Sequence, residues 1–167
     1  MRDIGFDYYW SDKYSQNIFA QGFEDTMNQP AELVTAFEVF EHLDEPCRDI
    51  DQMLKISRNL LFTTELLPDP LPKPHEWWYY GVEHGQHISF YTRQTLKWLA
   101  RSYNLNYFSL GGVHLLTEKN ISHTKFGLIS KCYSKFKLFK RVQKNMTSKT
   151  LSDMHHVLSL SENNSPT

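Results

Sequence analysis

Residues 33 to 42, Leu-Val-Thr-Ala-Phe-Glu-Val-Phe-Glu-His, constrain the fold more than any other stretch. A continuous apolar run there gives way abruptly to Glu38, Glu41 and His42. A short run of β-branched and aromatic residues without alternation reads as a strand buried on both faces, as in a parallel sheet. Acids and a histidine at the end of such a strand fall at the carboxyl edge of the sheet, where open α/β folds hold their ligands.

Strands and helices alternate around this run. Phe6 to Trp10 is aromatic and strand-like and ends in Ser11-Asp12-Lys13, and Ser15 to Gln21 suits a short helix with Ile18 and Phe19 inward. Asp44-Glu45-Pro46 reads as a helix start: Asp44 caps, Glu45 favours the positive end of the dipole, and proline is tolerated in the first turn. Cys47, Ile50, Met53, Leu54 and Ser57 then follow helical spacing. Leu60 to Thr64 is the next buried strand and ends in Glu65. Strand, helix and strand with a short return make a right-handed βαβ unit.

Residues 66 to 91 break this rhythm with Pro68, Pro70, Pro72 and Pro74, then His75-Glu76-Trp77-Trp78-Tyr79-Tyr80 and Glu83-His84-Gly85-Gln86-His87. A long irregular loop in a compact domain is commonly functional, and its aromatic content argues against disorder. Thr92 caps a further amphipathic helix through Leu96, Leu99, Ala100 and Tyr103. Leu105 to Leu110, Gly111-Gly112 and Val113 to Thr117 read as a β-hairpin closing the sheet.

A net charge of −1 gives no global pull toward nucleic acid or anionic membrane, and no apolar run reaches the roughly 20 residues that span a bilayer. The N-terminus lacks the apolar core of a signal peptide. Cys47 and Cys132 form no metal or redox motif, so a reduced, cytoplasmic setting is expected. Lys131 to Lys149 carries seven basic residues and no acid, interleaved with Tyr133, Phe136, Leu138 and Phe139. That stretch reads as a basic helix covering the sheet, or as a surface for membranes or phosphates. The expected division is a domain over 1–120, a basic helical extension over 121–158 and a flexible tail over 159–167.

The order of elements resembles the class I S-adenosylmethionine-dependent methyltransferases, over roughly residues 3 to 118. The group is the methyltransferase-domain set related to ubiquinone-biosynthesis O-methyltransferases and found in surface-glycan gene clusters. Phe37-Glu38-Val39-Phe40-Glu41-His42-Leu43 and Glu83-His84-Gly85-Gln86-His87-Ile88-Ser89-Phe90-Tyr91 carry the likeness. It implies an α/β, Rossmann-like sheet, mostly parallel with a C-terminal antiparallel hairpin. That family begins with a strand and a Gly-x-Gly-x-Gly loop against the cofactor, which this sequence does not contain. The fold is therefore expected to be N-terminally incomplete, with an exposed sheet edge that an oligomer would cover.

The resemblance assigns Asp12 to the ribose hydroxyls and Phe23 and Glu24 to the adenine. For Glu38, Glu41 and His42 two functional readings stand. In one, Glu38 lies beside the methionine portion of the cofactor and His42 is a general base, an imidazole being able to take a proton at neutral pH. In the other, Glu38, Glu41 and His42 ligate Mg²⁺ or Mn²⁺, since oxygen ligands with one imidazole suit a hard cation better than zinc. Similar Glu-x-x-Glu-His motifs in related methyltransferases add a histidine from a later loop, here His87, with His84 the second choice. The plain structural alternative has Glu41 and His42 cap and orient the next helix. Trp77, Trp78, Tyr79 and Tyr80 line an acceptor pocket, or are core or lid.

The expected function is methyl transfer from S-adenosylmethionine to a hydroxyl of a glycan or small molecule, with His42, His87, Glu41 or a bound metal managing the proton. The alternative is a non-catalytic methyltransferase-like remnant serving as an interaction module. A nucleic-acid partner and a transmembrane segment are not expected.

Overall fold

The structure, a computed structural model, describes residues 1–12, 14, 15, 17, 18, 20–24, 30–132, 144 and 146–163. The chain forms two compact units, Pro30–Ser130 and Met1–Gln29 with Lys131–Thr167.

The first of these holds a four-stranded sheet built from β1 (Val34–Ala36), β2 (Asn59–Thr63), β3 (Asn106–Leu110) and β4 (Val113–Thr117), in the order β1-β2-β4-β3. β1 and β2 are parallel, joined through α1 (Pro46–Ile56), as a βαβ unit demands. The sheet is mixed: the parallel pair continues into the expected C-terminal antiparallel hairpin, β4 pairing antiparallel with both β2 and β3. Register places Val34, Leu60, Leu116 and Tyr107 in one row across the sheet. That face packs with Phe40, Ile50 and Leu54, and with Leu96, Leu99 and Ala100 of α2 (Arg93–Ser102), into the main core. The opposite face is covered less completely: Phe108 meets Phe126 of α3 (His123–Cys132), while Leu61 and Leu115 stay half-buried. Burial on both faces, expected from the apolar runs, therefore holds only in part.

Local chemistry accounts for the boundaries. Pro46 takes the first position of α1 and Glu45 precedes it as cap without a side-chain bond. Asp44 is not the cap; its carboxylate takes only the amide of Glu45, at 3.0 Å. Thr92 caps α2 as expected, its hydroxyl accepting the Thr95 amide at 3.0 Å. The β3–β4 turn puts Gly111 and Gly112 at φ of 55° and 75°, the left-handed pair that a two-residue hairpin uses. Residues 66–91 are irregular apart from a 3-10 turn at Trp78–Tyr80 and a single bridge that joins the ends of the segment, Leu66 with Tyr91.

In the second unit the expected strand at Phe6–Trp10 is reduced to a single bridge, Trp10 with Glu24. No helix forms among the described residues of 15–21. Side chains compete for the backbone there: Asp12 accepts the Tyr14 and Ser15 amides at 2.8 and 3.2 Å, and Asn17 accepts that of Ala20 at 3.1 Å. Turns of this kind displace regular ladders. Phe19 lies outside the described residues, as does most of the basic interval 131–149.

Helix α4 (Thr150–Asn163) runs into the interval 159–167 expected as a tail. Arg2 grips it bidentately, Nε to Asp153 Oδ2 at 2.8 Å and Nη2 to Oδ1 at 2.7 Å. No helix among the described residues is long and apolar enough to cross a membrane.

Candidate functional site

Phe40 anchors the site. Its ring is fully buried and stacks on Phe62 of β2 at 3.9 Å, so the 3-10 turn Phe40–His42 is pinned to the sheet where β1 ends. Tyr91 adds a second tie, its hydroxyl donating to the Phe40 carbonyl at 3.0 Å. Glu41 is thereby carried into the interior. Its side chain is 0% exposed, and neither carboxylate oxygen has a hydrogen-bond partner. A buried charge without pairing costs several kcal/mol, so such groups are normally paired or coordinate a metal.

Two imidazoles face the same point. Glu41, His42 and His87 each offer a ligand atom, all within 4.8 Å of one another. His42 Nδ1 lies 2.9 Å from the Gln86 carbonyl, and His87 Nδ1 lies 2.6 Å from the Tyr79 carbonyl. A carbonyl only accepts, so each Nδ1 carries a proton, and the neutral form of each ring has its lone pair on Nε2. Histidines that bind metals are oriented in this way by a main-chain acceptor. The loop itself is stitched to the turn, since the Ile88 and Ser89 amides donate to the Glu41 carbonyl at 2.8 and 3.0 Å.

Glu38 falls outside that cluster. Thr63 holds it from β2: the Thr63 hydroxyl donates to Glu38 Oε1 at 2.7 Å and accepts the Glu38 amide at 2.9 Å. The pair maintains Glu38 at φ 52°, a left-handed conformation that costs a non-glycine residue energy and gathers at functional sites. His84 also stands apart; its ring covers Gly81, leaving no room for a side chain there, and contacts His87 edge-on at 5.2 Å. Gly85 adopts φ 61°, the turn that lets this loop double back.

The aromatic run divides its duties. Trp77 and Tyr80 pack with each other and with Phe90. Trp78 is 78% exposed and, with Glu38, Thr63, Glu65, Tyr79 and Gly112, lines a cavity of about 250 Å³ beside the strand ends. Burial pushes the Tyr79 phenol up to about 12, and the nearby Glu41 carboxylate adds to the rise. The phenol is close enough to Glu41 to interact with it but does not meet hydrogen-bond geometry, so the carboxylate oxygens stay unsatisfied. A larger apolar cavity of about 360 Å³, between α1, residues 88–91 and α2, contains none of the candidate site residues.

Asp12, Phe23 and Glu24 belong to the other unit. Asp12 is exposed and accepts from the Ser15 hydroxyl at 2.5 Å besides the two amides, which holds its carboxyl below the usual range. Three of its roughly four acceptor positions are in use. Phe23 is not a bare platform: the Arg2 guanidinium lies over its ring at 4.2 Å, and the His156 ring sits 5.5 Å away. Glu24 is exposed. Sequence reasoning missed the main-chain carbonyls of Gln86 and Tyr79 and the clamp by Thr63, because acceptors supplied by the backbone leave no residue signature.

A parallel pair with a histidine and acid cluster at its carboxyl edge is the layout of a ligand-binding α/β domain. The chain belongs to the methyltransferase-domain family: the family model described as Methyltransferase domain matches residues 1–110. It is thus a class I S-adenosylmethionine-dependent methyltransferase by family. The match is to the methyltransferase-domain family and does not show the closer likeness to ubiquinone-biosynthesis enzymes. No curated protein and no solved structure matches the chain.

Proposed function

We propose that the protein transfers a methyl group to a hydroxyl of a small-molecule or glycan acceptor, using Glu41, His42 and His87 as the acceptor-side site. The observation that carries this reading is the buried, unpartnered carboxylate of Glu41 beside two imidazoles with free Nε2 lone pairs. Such a donor set suits a hard divalent cation, Mg²⁺ or Mn²⁺, and Glu41, His42 and His87 would hold it.

When bound, S-adenosylmethionine supplies an electrophilic methyl and the cation lowers the pKa of the acceptor hydroxyl. The chain's own residues then have two tasks. One is to take the hydroxyl proton as the new C–O bond forms and the methyl–sulfur bond breaks. Exposed His42, its Nδ1–H spent on Gln86, would receive that proton on Nε2 when no cation holds that lone pair, and with a cation bound it would serve as ligand instead. The other is to align the acceptor. Trp78 offers an open aromatic face in the cavity, suited to a ring or sugar, and Glu38 and Glu65 accept its hydroxyls. Glu38, held by Thr63, also suits the methionine portion of the cofactor. For the other unit taken by itself, the resemblance supports Asp12, which retains acceptor capacity for ribose hydroxyls, and exposed Glu24 for the adenine amine, while the Phe23 ring already carries the Arg2 guanidinium over it.

Calorimetric titration of the full chain with S-adenosylhomocysteine, with and without Mn²⁺, tests the reading. The expected result is binding in both conditions, with His42→Ala sparing cofactor affinity and abolishing turnover. Absence of heat and of thermal shift at millimolar ligand overturns it in favour of the non-catalytic interaction module.

A further inference from the structure

We propose that Tyr79 is a positioning residue that sets the orientation of His87 through a hydrogen-bonded chain leading out of the sheet. The proposal deepens the site reading above and rests on it for the role of His87.

The chain begins inside the sheet. The Tyr107 hydroxyl of β3 lies 3.0 Å from His114 Nδ1 of β4, and His114 Nε2 lies 3.0 Å from the Thr64 carbonyl. That carbonyl only accepts, so Nε2 carries the proton and Nδ1 takes the one from Tyr107. His114 is fully buried, and burial lowers its pKa, which keeps this arrangement neutral. The Thr64 hydroxyl, also buried, meets the Tyr79 hydroxyl at 3.3 Å. Tyr79 then passes the constraint outward: its carbonyl accepts His87 Nδ1–H at 2.6 Å, and the two rings are 4.6 Å apart.

Position makes Tyr79 the joint between a rigid element and an irregular one. Its ring is 2% exposed and packs between those of Trp77 and Trp78, each 5.3 Å away. Thr64 follows β2 directly, with its amide tied to the Gly112 carbonyl at 3.1 Å. An imidazole on a loop otherwise samples two tautomers and several rotamers. Fixing Nδ1 as a donor leaves the Nε2 lone pair for the cluster with Glu41 and His42. Buried polar chains of this kind strengthen one another and rigidify what they hold.

The test removes one hydroxyl at a time and leaves every ring in place. Thr64→Val deletes the partner of Tyr79, Tyr79→Phe deletes the phenol oxygen, and Thr64→Ser is the rescue. The primary readout is the side-chain ¹⁵N spectrum of His87 in the metal-free full chain, which reports its tautomer. Wild type and Thr64→Ser are expected to show the Nδ1–H form. Tyr79→Phe and Thr64→Val lose part of it to the same degree, and the double variant loses no more than either single one. Mn²⁺ affinity falls about tenfold in the same two variants, as for other outer partners of metal ligands.

An unchanged His87 spectrum in both variants, with only a lower unfolding temperature, overturns the proposal and makes Tyr79 a packing residue. A shifted tautomer in a protein whose wild type takes up no Mn²⁺ upholds the positioning role and refutes the metal reading alone.

Discussion

The His42 and His87 rings meet edge to face with centroids 5.0 Å apart, and each donates Nδ1–H to a main-chain carbonyl of the same irregular segment. One loop therefore sets both imidazoles, while Phe40 and Tyr91 fix the turn that carries Glu41 between them and the core. Orientation by backbone acceptors costs the side chains no donor that chemistry needs.

Glu41→Gln separates a ligand from a structural acid. Both oxygens are buried without partners, so removing the charge should leave metal-free stability unchanged or raise it by about 1–3 kcal/mol. The variant should also lose the stabilisation by Mn²⁺, which for the wild type at 100-fold excess over Kd is about 2.7 kcal/mol. Urea unfolding with and without Mn²⁺ measures both. A marked loss of metal-free stability shows that protein groups already satisfy the carboxylate and removes the case for a ligand.

His114 predicts a pH dependence of stability. Burial holds its folded pKa below the usual 6.5, so below pH 6.5 the unfolded chain binds a proton that the folded chain refuses. Its contribution is complete above about pH 6.5 and declines by at most about 1.4 kcal/mol per pH unit until the folded pKa is reached. His114→Gln should flatten the slope between pH 6.5 and 5 in unfolding titrations. An unaltered slope means that His114 does not titrate in this range on unfolding.

Asp153 holds α4 to the N-terminal segment through Arg2. The hydrogen bond from Arg2 keeps the Asp153 carboxyl below the usual 3.8, so the link is intact above that pH and is lost as pH falls through the lower folded value. Asp153→Asn at pH 7 should speed amide exchange over residues 150–160 and leave β2 unaffected. Equal acceleration in β2 would point to general destabilisation instead of a local latch.

Much of the fold is legible in local chemistry. The apolar runs at 33–37 and 60–64, Pro46, Thr92 and Gly111-Gly112 specify strands, helix starts and a hairpin turn, because periodicity, φ preference and capping act over a few residues. The short helix expected at 15–21 is absent among the described residues for a related reason: Asp12 and Asn17 capture nearby amides, and no pattern of apolar residues reports that competition. For the site, residue type and strand-end position single out Glu38, Glu41, His42 and His87. Tertiary structure decides which of them meet. Phe40 stacking on Phe62 buries Glu41, Thr63 draws Glu38 aside, and the Tyr79 carbonyl turns His87 inward. Those contacts bring together residues up to 46 positions apart, from Glu41 to His87, through ring stacking, one side-chain hydroxyl and a backbone acceptor, none of which leaves a local sequence pattern. Sequence therefore named the donors, and packing alone brought three of them to one point.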